Sequence, residues 1–567
     1  MYFSRTLNIK LLLLLIMSTS LSLYAQLSEG GLPKSFSSAI VDENLVVADD
    51  FNKPNAEDLI LEDLQRDANG LNLRDAVAVP VSRGLEDAGI WFDQLDGSRI
   101  WRYKIRVSEA LSLEPYFDQF FIPVGAELFI FNHDGTEVFG AFTDRNNSMH
   151  GRFSADMVQG EVINFEYYEP ADVFGEGDIH ILDVGYRYRD VIGLDENSAE
   201  GGAQECQVDV SCVEGQVWQN QVRSTVRIRT RINGQFYWCS GTLMNNTALD
   251  CRPLILSSLR CAIDGNEVSG VNDFDVFRFY FNYQTEACGA GAVFSGSSMA
   301  GCSNVGDSND QGGAFGSDYM ILELNNSIPP EFAPYYAGWN ATGGVEGSSG
   351  VTVHHPSGDV KKISSFQQTP TTSNWGSQGT HWRVVWSGTE NGHGVCESGS
   401  YGSGLFNSSG LVFGTLTGGA SSCNQVSPDG QDLPDFFGKM SNHWASNPNP
   451  ASEKLRAILD PLNNDMEIFE GSEAPCLTGL EEYVGIEFTL SPNPTNHFLT
   501  LNIASDDAYQ INRLFVSDVI GKTTEVELSS NRNRPTIDVS SFSAGLYFLT
   551  VQLESGDLLS KTFLVSF

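Results

Sequence analysis

Short apolar or alternating runs, separated by Gly, Ser, Asn and Asp, follow one another through most of the chain. The stretch "IWRYKIRV" (Ile100 to Val107) alternates as a half-buried strand does. "AELFIFNHDGTEVFGAF" predicts two strands on either side of a His-Asp-Gly turn. A helical pattern stands out only late, at "SEKLRAILDPL" (Ser452 to Leu462). The pattern as a whole predicts an all-β protein.

The 567 residues are too many for one core and predict several domains. Residues 26–200 are strand-like and contain no cysteine, which indicates a β-rich domain of its own. Residues 201–470 carry many short strands and suit a β-barrel or sandwich with a terminal helix. The stretch 471–485 predicts a linker, and residues 486–567 predict a small β-sandwich.

The first residues have the pattern of a signal peptide. Arg5 and Lys10 precede the apolar run 11–23, and Ala25 supplies a small residue for cleavage. Residues 1–25 are therefore predicted to be a secretory signal peptide. This run is short for a spanning helix, and no other uninterrupted apolar run of about 18 residues occurs, so we expect no transmembrane helix.

The charge balance narrows the possible partners. Lys+Arg 33 against Asp+Glu 72 gives a net charge of −39, which argues against nucleic acid or an anionic membrane surface as a partner. Of the 10 cysteines, all but Cys476 lie between Cys206 and Cys423, and export favours disulfides there. No CxxC pair or Cys/His cluster has zinc spacing, so neither a metal nor another cofactor is expected.

Three blocks near the C-terminus occur in a characteristic order. They are "SPNPTNHFLTLNI" (Ser491 to Ile503), "IDVSSFSAGLYFLTV" (Ile537 to Val551) and the closing "GDLLSKTFLV". Together they resemble the type IX secretion C-terminal sorting domain of Bacteroidetes. The resemblance implies the type IX secretion machinery as a partner, and a protein that is secreted or held at the outer cell surface.

Several segments of the middle region carry a second resemblance. They are "CSGTLMNNTALDCRPLILSSLRC" (Cys239 to Cys261), "GSDYMILELN" (Gly316 to Asn325), "VTVHHPSGDVKKIS" (Val351 to Ser364), "GVCESGSYGSGLFNSSGLVFGTL" (Gly394 to Leu416) and "GGASSC" (Gly418 to Cys423). They resemble the lysyl endopeptidase branch of the trypsin-like serine proteases. This implies a trypsin-like double β-barrel with its cleft between the barrels, preceded by a prosegment-like domain at 26–200.

Such a protease needs a hydroxyl nucleophile, an imidazole base and a buried carboxylate. By the resemblance, Asp318 in "SDYMILEL" occupies the position of the triad aspartate. The histidine position in "LSSLRC" holds Arg260 instead. A guanidinium stays protonated and cannot accept the proton of the nucleophile. We expect Arg260 to pair with Asp318 as a structural replacement.

The nucleophile position is also altered. The family serine stands third in a "GxSGxP" segment, and here "GSYGSG" puts Tyr401 third, two residues after Gly399, the glycine expected in the oxyanion hole. Ser400 and Ser403 lie nearby but off register. Ser403 is the stronger alternative nucleophile, although its use requires a slip of two residues in a packed barrel.

The substrate pocket is better kept. Asp435 in "PDFFGKM" aligns with the aspartate that gives the family its lysine preference, and Trp375 in "SNWGS" aligns with a tryptophan beside the catalytic site. Thr417 in "GTLTGG" replaces the histidine that partners this tryptophan. The resemblance thus implies a peptide or protein ligand that contains lysine.

The resemblance also implies three disulfides, which would join Cys206 to Cys423, Cys212 to Cys288, and Cys239 to Cys261. The remaining cysteines have no counterparts in the family, so their pairing stays open: Cys251, Cys302, Cys396 and Cys476. Cys396 lies five residues before Tyr401 and could tie down the altered loop.

Three functional hypotheses follow. The first is a secreted pseudoprotease that binds peptides or proteins at the cell surface. The second is an active lysyl-endopeptidase-like enzyme that uses a shifted serine such as Ser403. The third is a structural surface protein without an open cleft. In the first case residues 26–200 need not be a removable prosegment and could form a permanent domain.

Overall fold

A computed structural model describes residues 28–37, 41–191, 202–293, 297–344, 347–423, 431–447, 450, 453–473, 475–477, 488–503, 511–518, 523–526, 536–553 and 558–566. The predicted signal peptide lies outside these ranges, as does most of the predicted linker. The chain divides into two compact units, one up to Glu473 and one from Ala474 onward. Strands dominate both units, and this confirms the all-β prediction. None of the described helices has the length and apolar character needed to cross a membrane.

The first part of the larger unit, residues 28–191, is called the N-terminal domain below. Its strands are β1 Asp49–Phe51, β2 Arg74–Gly84, β3 Ile90–Asp93, β4 Arg99–Val107, β5 Ser112–Phe121, β6 Glu127–Asn132, β7 Val138–Phe142, β8 Phe153–Ser154, β9 Val158–Gln159, β10 Val162–Glu169 and β11 Asp178–Arg187. One sheet has the order β1-β4-β10-β6-β7, with β3 added beside β4. The hairpin β6–β7 is the one predicted around His-Asp-Gly. Trp101, Ile130 and Phe165 lie fully buried in the core of this domain.

One helix, α1 (Ala56–Ala68), was not predicted for this domain. Its apolar residues Leu61 and Leu64 are exposed, whereas Asp63 is buried. Asp63 accepts hydrogen bonds from Arg74 Nε at 2.9 Å and from the Tyr188 hydroxyl at 2.5 Å. The buried face of α1 is thus held partly by polar contacts, and a search for an apolar stripe does not detect such a helix.

The second part of the larger unit, residues 202–473, is called the protease-like domain. Its strands are β12 Val208–Asp209, β13 Thr225–Ile232, β14 Gln235–Met244, β15 Leu254–Ser257, β16 Ile263–Asp264, β17 Glu267–Val268, β18 Arg278–Tyr280, β19 Thr285–Ala287, β20 Ala290–Val293, β21 Ser298–Ala300, β22 Cys302–Asp307, β23 Met320–Leu324, β24 Trp339–Asn340, β25 Gly350–His354, β26 Lys362–Phe366, β27 Thr371–Ser373, β28 His381–Val384, β29 Gly404–Asn407, β30 Val412–Gly419, β31 Asp435–Lys439 and β32 Ile468–Phe469. Its helices are α2 Gln219–Ser224, α3 Val271–Phe274, α4 Met440–Ala445 and α5 Leu455–Leu459. The last of these lies within the predicted helical segment 452–462. A ten-stranded sheet has the order β12-β26-β25-β29-β30-β31-β28-β27, with β24 and β32 to one side.

A twelve-stranded sheet joins the two domains. Its main path is β21-β18-β13-β14-β2-β11-β5-β8, so β2 of the N-terminal domain pairs with β14 of the protease-like domain. In this antiparallel pair Ala76 lies opposite Phe236, and Arg74 lies opposite Tyr237. The strands β15, β23 and β22 extend the sheet from β14. The N-terminal domain therefore shares backbone hydrogen bonds and side-chain packing with the protease-like domain.

The second unit, from Ala474, contains seven described strands. They are β33 Phe488–Ser491, β34 Phe498–Ile503, β35 Ile511–Asp518, β36 Thr523–Val526, β37 Thr536–Asp538, β38 Gly545–Leu553 and β39 Leu558–Val565. They form a three-stranded sheet, β33-β34-β37, and a four-stranded sheet, β36-β35-β38-β39. Buried Leu499, Leu514, Leu549 and Phe563 form one cluster. This arrangement is that of a small β-sandwich.

Three disulfides join Cys206 to Cys423, Cys212 to Cys288, and Cys239 to Cys261, the pairs that the family resemblance implied. Cys251 and Cys476 are also disulfide-bonded. Cys302 and Cys396 are free thiols, and both are buried. The expectation that Cys396 ties down the loop around Tyr401 through a disulfide is therefore wrong.

Candidate functional site: the altered catalytic cleft

The three residues that the resemblance assigns to triad positions are brought together by elements that lie far apart in the sequence. Arg260 lies in a 3₁₀ turn, Leu259–Ala262, directly after β15. Asp318 stands two residues before β23, which pairs with β15. Tyr401 lies three residues before β29 and is buried. The pairing of β15 with β23 thus sets Asp318 beside the turn that carries Arg260.

Asp318 keeps the surroundings of a structural carboxylate. Its Oδ2 accepts a hydrogen bond from Ser258 Oγ at 2.6 Å, and its Oδ1 accepts one from the Arg260 backbone N–H at 3.1 Å. Burial, together with the nearby Asp310 charge, raises the pKa of this carboxyl from 3.8 to about 6. The cost of burial outweighs the stabilisation by the two donors, so the charged form is held at a penalty.

The Arg260 side chain does not form the expected pair with Asp318. Its Nη1 donates to the Thr417 carbonyl at 3.3 Å, and its Nη2 donates to the carbonyl of Gly70, in the N-terminal domain. The guanidinium carbon lies 4.7 Å from the centre of the Tyr401 ring. Only the backbone of Arg260 contacts Asp318, and the side chain is directed across the cleft.

Tyr401 points at the same acceptor. Its hydroxyl donates to the Gly70 carbonyl at 3.3 Å, while its own carbonyl accepts from the Ser240 N–H at 2.9 Å. The second of these bonds holds the loop against β14. The side chains of Arg260 and Tyr401 therefore converge on one carbonyl oxygen of the N-terminal domain.

The loop before Tyr401 needs glycine where the chain turns. Gly399 has a φ of +93°, and a Cβ there would lie 2.7 Å from the Gly358 nitrogen. Gly402 has a φ of +83°, and a Cβ would lie 2.1 Å from Ser257 Oγ. Both positions thus exclude a side chain. The loop that holds Tyr401 therefore depends on a glycine on each side of this residue.

The two neighbouring serines are fully buried. Ser403 Oγ contacts Thr352 Oγ1 at 3.1 Å, and this hydroxyl is not a base. Ser400 Oγ lies 2.7 Å from His354 Nδ1, whose ring also contacts Ser364 Oγ at 3.0 Å. Burial lowers the pKa of His354 to about 3. This histidine is a weak base, and the Ser400 hydroxyl is not accessible to a substrate.

Asp435 is also fully engaged by its own chain. Its Oδ2 accepts from Trp386 Nε1 at 2.6 Å and from Ser421 Oγ at 2.5 Å. The backbone N–H groups of Ser421 and Cys396 complete its contacts, each at 3.3 Å. Burial raises the pKa of this carboxyl above its usual range despite these donors. The Asp435 carboxylate is therefore buried against the loop that contains Cys396.

Trp375 stands at the edge of the altered site. Its ring centre is 5.0 Å from that of Phe436 and 6.3 Å from that of His381. Thr417, at the position of the family histidine, lies 3.0 Å through its Oγ1 from His381 Nε2. Burial lowers the pKa of His381 to about 3. His381 of β28 thus lies close to Trp375 and contacts the Thr417 hydroxyl.

Sequence reasoning missed two contributors to the cleft. Asp310 organises the loop before β23: its Oδ1 accepts from the Gly313 N–H at 3.0 Å and its Oδ2 from the Asp318 N–H at 2.8 Å. A Cβ on Gly312 would lie 3.4 Å from the Arg260 Cα. The other missed contributor is Gly70, which lies 190 residues before Arg260. Neither has a local signal, because both act through contacts distant in sequence.

No group of three or more His, Cys, Asp or Glu side chains in the described part of the chain is arranged to hold a metal ion. The three residues that the resemblance assigns to the cleft are Asp318, Arg260 and Tyr401. These groups supply one buried carboxylate and two hydrogen-bond donors.

Comparison with known families places this site in a class. Residues 200–438 match the lysyl endopeptidase C-terminal domain, and residues 489–566 match the secretion system C-terminal sorting domain. The protein is thus a serine protease homologue that carries a sorting tail for secretion or cell-surface attachment. Within that class, its middle domain is similar to the lysyl endopeptidases.

A curated relative agrees with this assignment. The chain is 26% identical over 368 residues to the lysyl endopeptidase of Pseudomonas aeruginosa, an alignment that covers 62% of this chain and 76% of that protein. Since the alignment is longer than the 200–438 match, it extends beyond the segment that the family model matches.

Solved protease structures show weaker likeness. The thermostable serine protease AL20 from an extremophilic microorganism is 15% identical, with a TM-score of 0.27 over 39% of this chain and 93% of that chain. The protease Anisep from Arthrobacter nicotinovorans is 14% identical, with a TM-score of 0.28 over 38% and 90%.

Proposed function

We propose that this chain is a pseudoprotease: a secreted lysyl endopeptidase homologue that does not hydrolyse peptide bonds and acts by binding peptides or proteins. The observation that carries the proposal is the direction of Arg260 and Tyr401, whose side chains both donate to the Gly70 carbonyl. Proton transfer from a nucleophile needs an acceptor at the histidine position. A guanidinium supplies only donors there.

The rival hypothesis of a shifted serine has little support from the contacts. Ser403 is fully buried, and its hydroxyl lies beside Thr352 Oγ1 at 3.1 Å. Ser400 has a histidine neighbour, but that histidine is buried and has a pKa of about 3. An enzyme would need one of these serines to reach the surface of the cleft together with an active base.

Peptide hydrolysis tests the proposal. The secreted protein is incubated with a fluorogenic lysyl peptide, and a lysyl endopeptidase serves as the positive control. In a well-studied serine protease, loss of the catalytic serine or histidine lowers turnover by about 10⁶-fold. We therefore expect no hydrolysis above background. Stoichiometric labelling of Ser403 by a serine-directed phosphonate, with turnover lost on Ser403→Ala, would show instead that the chain is an enzyme.

The proposed ligand is a peptide or protein, and Asp435 is the residue expected to bind a lysine side chain of it. A lysine side chain that enters the pocket would compete for an Asp435 carboxylate that already accepts bonds from Trp386, Ser421 and Cys396. We therefore expect lysyl peptides to bind the intact chain weakly. Binding by calorimetry, compared between the natural chain and Asp435→Asn, tests this expectation. Tight binding that is lost in the variant would establish a working lysine pocket.

A further inference from the structure

The carbonyl that fills the cleft is presented by the end of a helix. Gly70 follows α1 with a φ of +63°. Its N–H donates to the Asp67 carbonyl at 2.9 Å, and the Leu71 N–H donates to the Arg66 carbonyl at 3.1 Å. These two bonds form a Schellman motif, which ends the helix and leaves the Gly70 carbonyl free of it. The oxygen is thus available for a partner outside the helix.

Arg260 complements this helix end in charge. The C-terminus of a helix carries a partial negative charge, and a cation placed there is stabilised. The Arg260 guanidinium donates to the Gly70 carbonyl, and the Tyr401 hydroxyl donates to the same oxygen. A backbone carbonyl with two lone pairs is satisfied by two such donors. Arg260 and Tyr401 therefore form a site that binds a backbone carbonyl oxygen through two hydrogen bonds.

Residues on either side of Gly70 also contact the segment of the protease-like domain that carries Arg260. Asn72 Nδ2 lies 2.8 Å from the Arg260 carbonyl and 2.9 Å from the Ile263 carbonyl. Arg66, in the last turn of α1, forms an ion pair with Asp264 at 2.6 Å. Three residues of the N-terminal domain thus contact the short segment 260–264 of the protease-like domain.

The two domains also share a hydrophobic core. Leu73 and Met157 of the N-terminal domain cluster with Trp238 of the protease-like domain. Tyr116 stacks on Phe236 with ring centres 4.8 Å apart, and both are buried. Separation of the domains would expose these aromatic side chains to water, which is costly in proportion to the apolar area.

Buried charges join the domains as well. Arg229 of β13 is fully buried, and its guanidinium contacts Asp75 and Glu114, both buried in the N-terminal domain. Asp75 also accepts a hydrogen bond from Trp238 Nε1 at 3.0 Å. Both carboxylate partners of Arg229 thus come from the N-terminal domain, while Asp75 also lies 3.7 Å from Arg187 of its own domain. Separation of the domains would leave the Arg229 charge without these partners.

We propose that Arg260 and Tyr401 form a binding site for the Gly70 carbonyl, and that the N-terminal domain stays bound as a permanent part of the mature protein. The inference rests on the proposed function, because a protease needs this cleft to open. It extends that function by assigning the altered residues a new ligand, a backbone carbonyl at a helix C-terminus. The partner surface of the protein then lies outside the cleft.

Controlled cleavage of the full chain tests this inference. A recognition sequence for a site-specific protease is inserted within 192–201, between the two domains, and the cut protein is followed by size-exclusion chromatography. We expect both fragments to elute together under native conditions. Separation of the fragments from the otherwise natural chain would overturn the inference.

Three variants of the cut protein assign the contact. Arg260→Ala should raise the dissociation constant of the fragments about 10-fold or more, as expected for loss of a charged hydrogen bond. Tyr401→Phe, which keeps the ring, should raise it about 2- to 10-fold. Arg383→Ala changes an exposed arginine of β28 and should have no effect. Equal dissociation in all four proteins would refute the carbonyl site.

Two further readouts separate this inference from the proposed function. The protein purified from the cells that secrete it should contain the N-terminal domain by intact mass, and a mature chain that starts near residue 200 would overturn retention. Peptide hydrolysis is measured on the same cut samples. Fragments that separate without gain of hydrolysis contradict only the retained domain, whereas hydrolysis after separation contradicts the pseudoprotease as well.

Discussion

Replacing Asp318 by asparagine should stabilise the folded chain at neutral pH. In an active protease this carboxylate must stay charged to orient a histidine. Here the resemblance puts Arg260 at the histidine position, and its side chain donates to Thr417 and Gly70 rather than to Asp318. The Asp318 carboxylate accepts hydrogen bonds from the Ser258 hydroxyl and the Arg260 backbone N–H, and these bonds and the Arg260 charge do not offset the cost of burial. Asparagine can keep its oxygen toward the Arg260 N–H and donate from its amide to Ser258 Oγ.

The size of this stabilisation follows from the pKa of Asp318. Folding raises the pKa of Asp318 from 3.8 to about 6. Below 3.8 the carboxyl is protonated in both states, so it makes no pH-dependent contribution. Between 3.8 and about 6 the folded state binds more protons than the unfolded state, so stability falls as pH rises through this window. At about 1.4 kcal/mol per pKa unit, the full cost above pH 6 is about 3 kcal/mol.

Urea denaturation of the natural chain and of Asp318→Asn between about pH 4 and pH 8 measures this effect. The difference in unfolding free energy should grow in favour of the variant up to about pH 6 and then level off. Asp93→Asn alters an exposed carboxylate and serves as the control. A variant less stable than the natural chain at pH 7, by an amount that increases with pH, would refute this reasoning.

Three other substitutions or treatments give direct expectations. Asp75→Ala leaves buried Arg229 without a main partner and should lower the unfolding free energy by about 3–5 kcal/mol in denaturant titrations. Gly402→Ala forces a Cβ to 2.1 Å from Ser257 Oγ and should lower the thermal midpoint by several degrees. Cys302 and Cys396 are buried thiols whose pKa values burial raises, so a maleimide should label them only after unfolding. Labelling in the native state, or unchanged midpoints, would contradict these expectations.

Local signals sufficed for much of the fold. The alternation in Ile100 to Val107 predicted β4, and the His-Asp-Gly turn predicted the β6–β7 hairpin, because side-chain period and turn chemistry act within a few residues. Helix α1 was not predicted because Leu61 and Leu64 are exposed whereas Asp63 is buried. The sequence therefore shows no apolar stripe on the buried face of this helix. The pairing of β2 with β14 joins segments about 160 residues apart and leaves no local mark.

The sequence predicted the residues of the candidate site but not the contacts of their side chains. The family resemblance placed Arg260, Asp318 and Tyr401 at triad positions from the motifs around them, and this placement stays a prediction. It did not predict where the long side chains point. The pairing of Arg260 with Asp318 was a reasonable expectation from charge alone. The structure instead gives Arg260 the Gly70 carbonyl, since a helix end 190 residues away supplies a partner that no nearby residue reveals.

The two altered positions are better understood together than apart. A catalytic serine and histidine present a nucleophile and a proton acceptor to the substrate carbonyl. Arg260 and Tyr401 present two donors, and a single oxygen, that of Gly70, accepts from both. Either donor alone would leave the carbonyl at the end of α1 with one partner fewer in a largely buried cleft, where unmade hydrogen bonds are costly. A site that binds its own helix end gains from both replacements, whereas a protease loses its chemistry with the first. The same two residues therefore support both proposals, the pseudoprotease and the retained N-terminal domain, through one shared contact with Gly70.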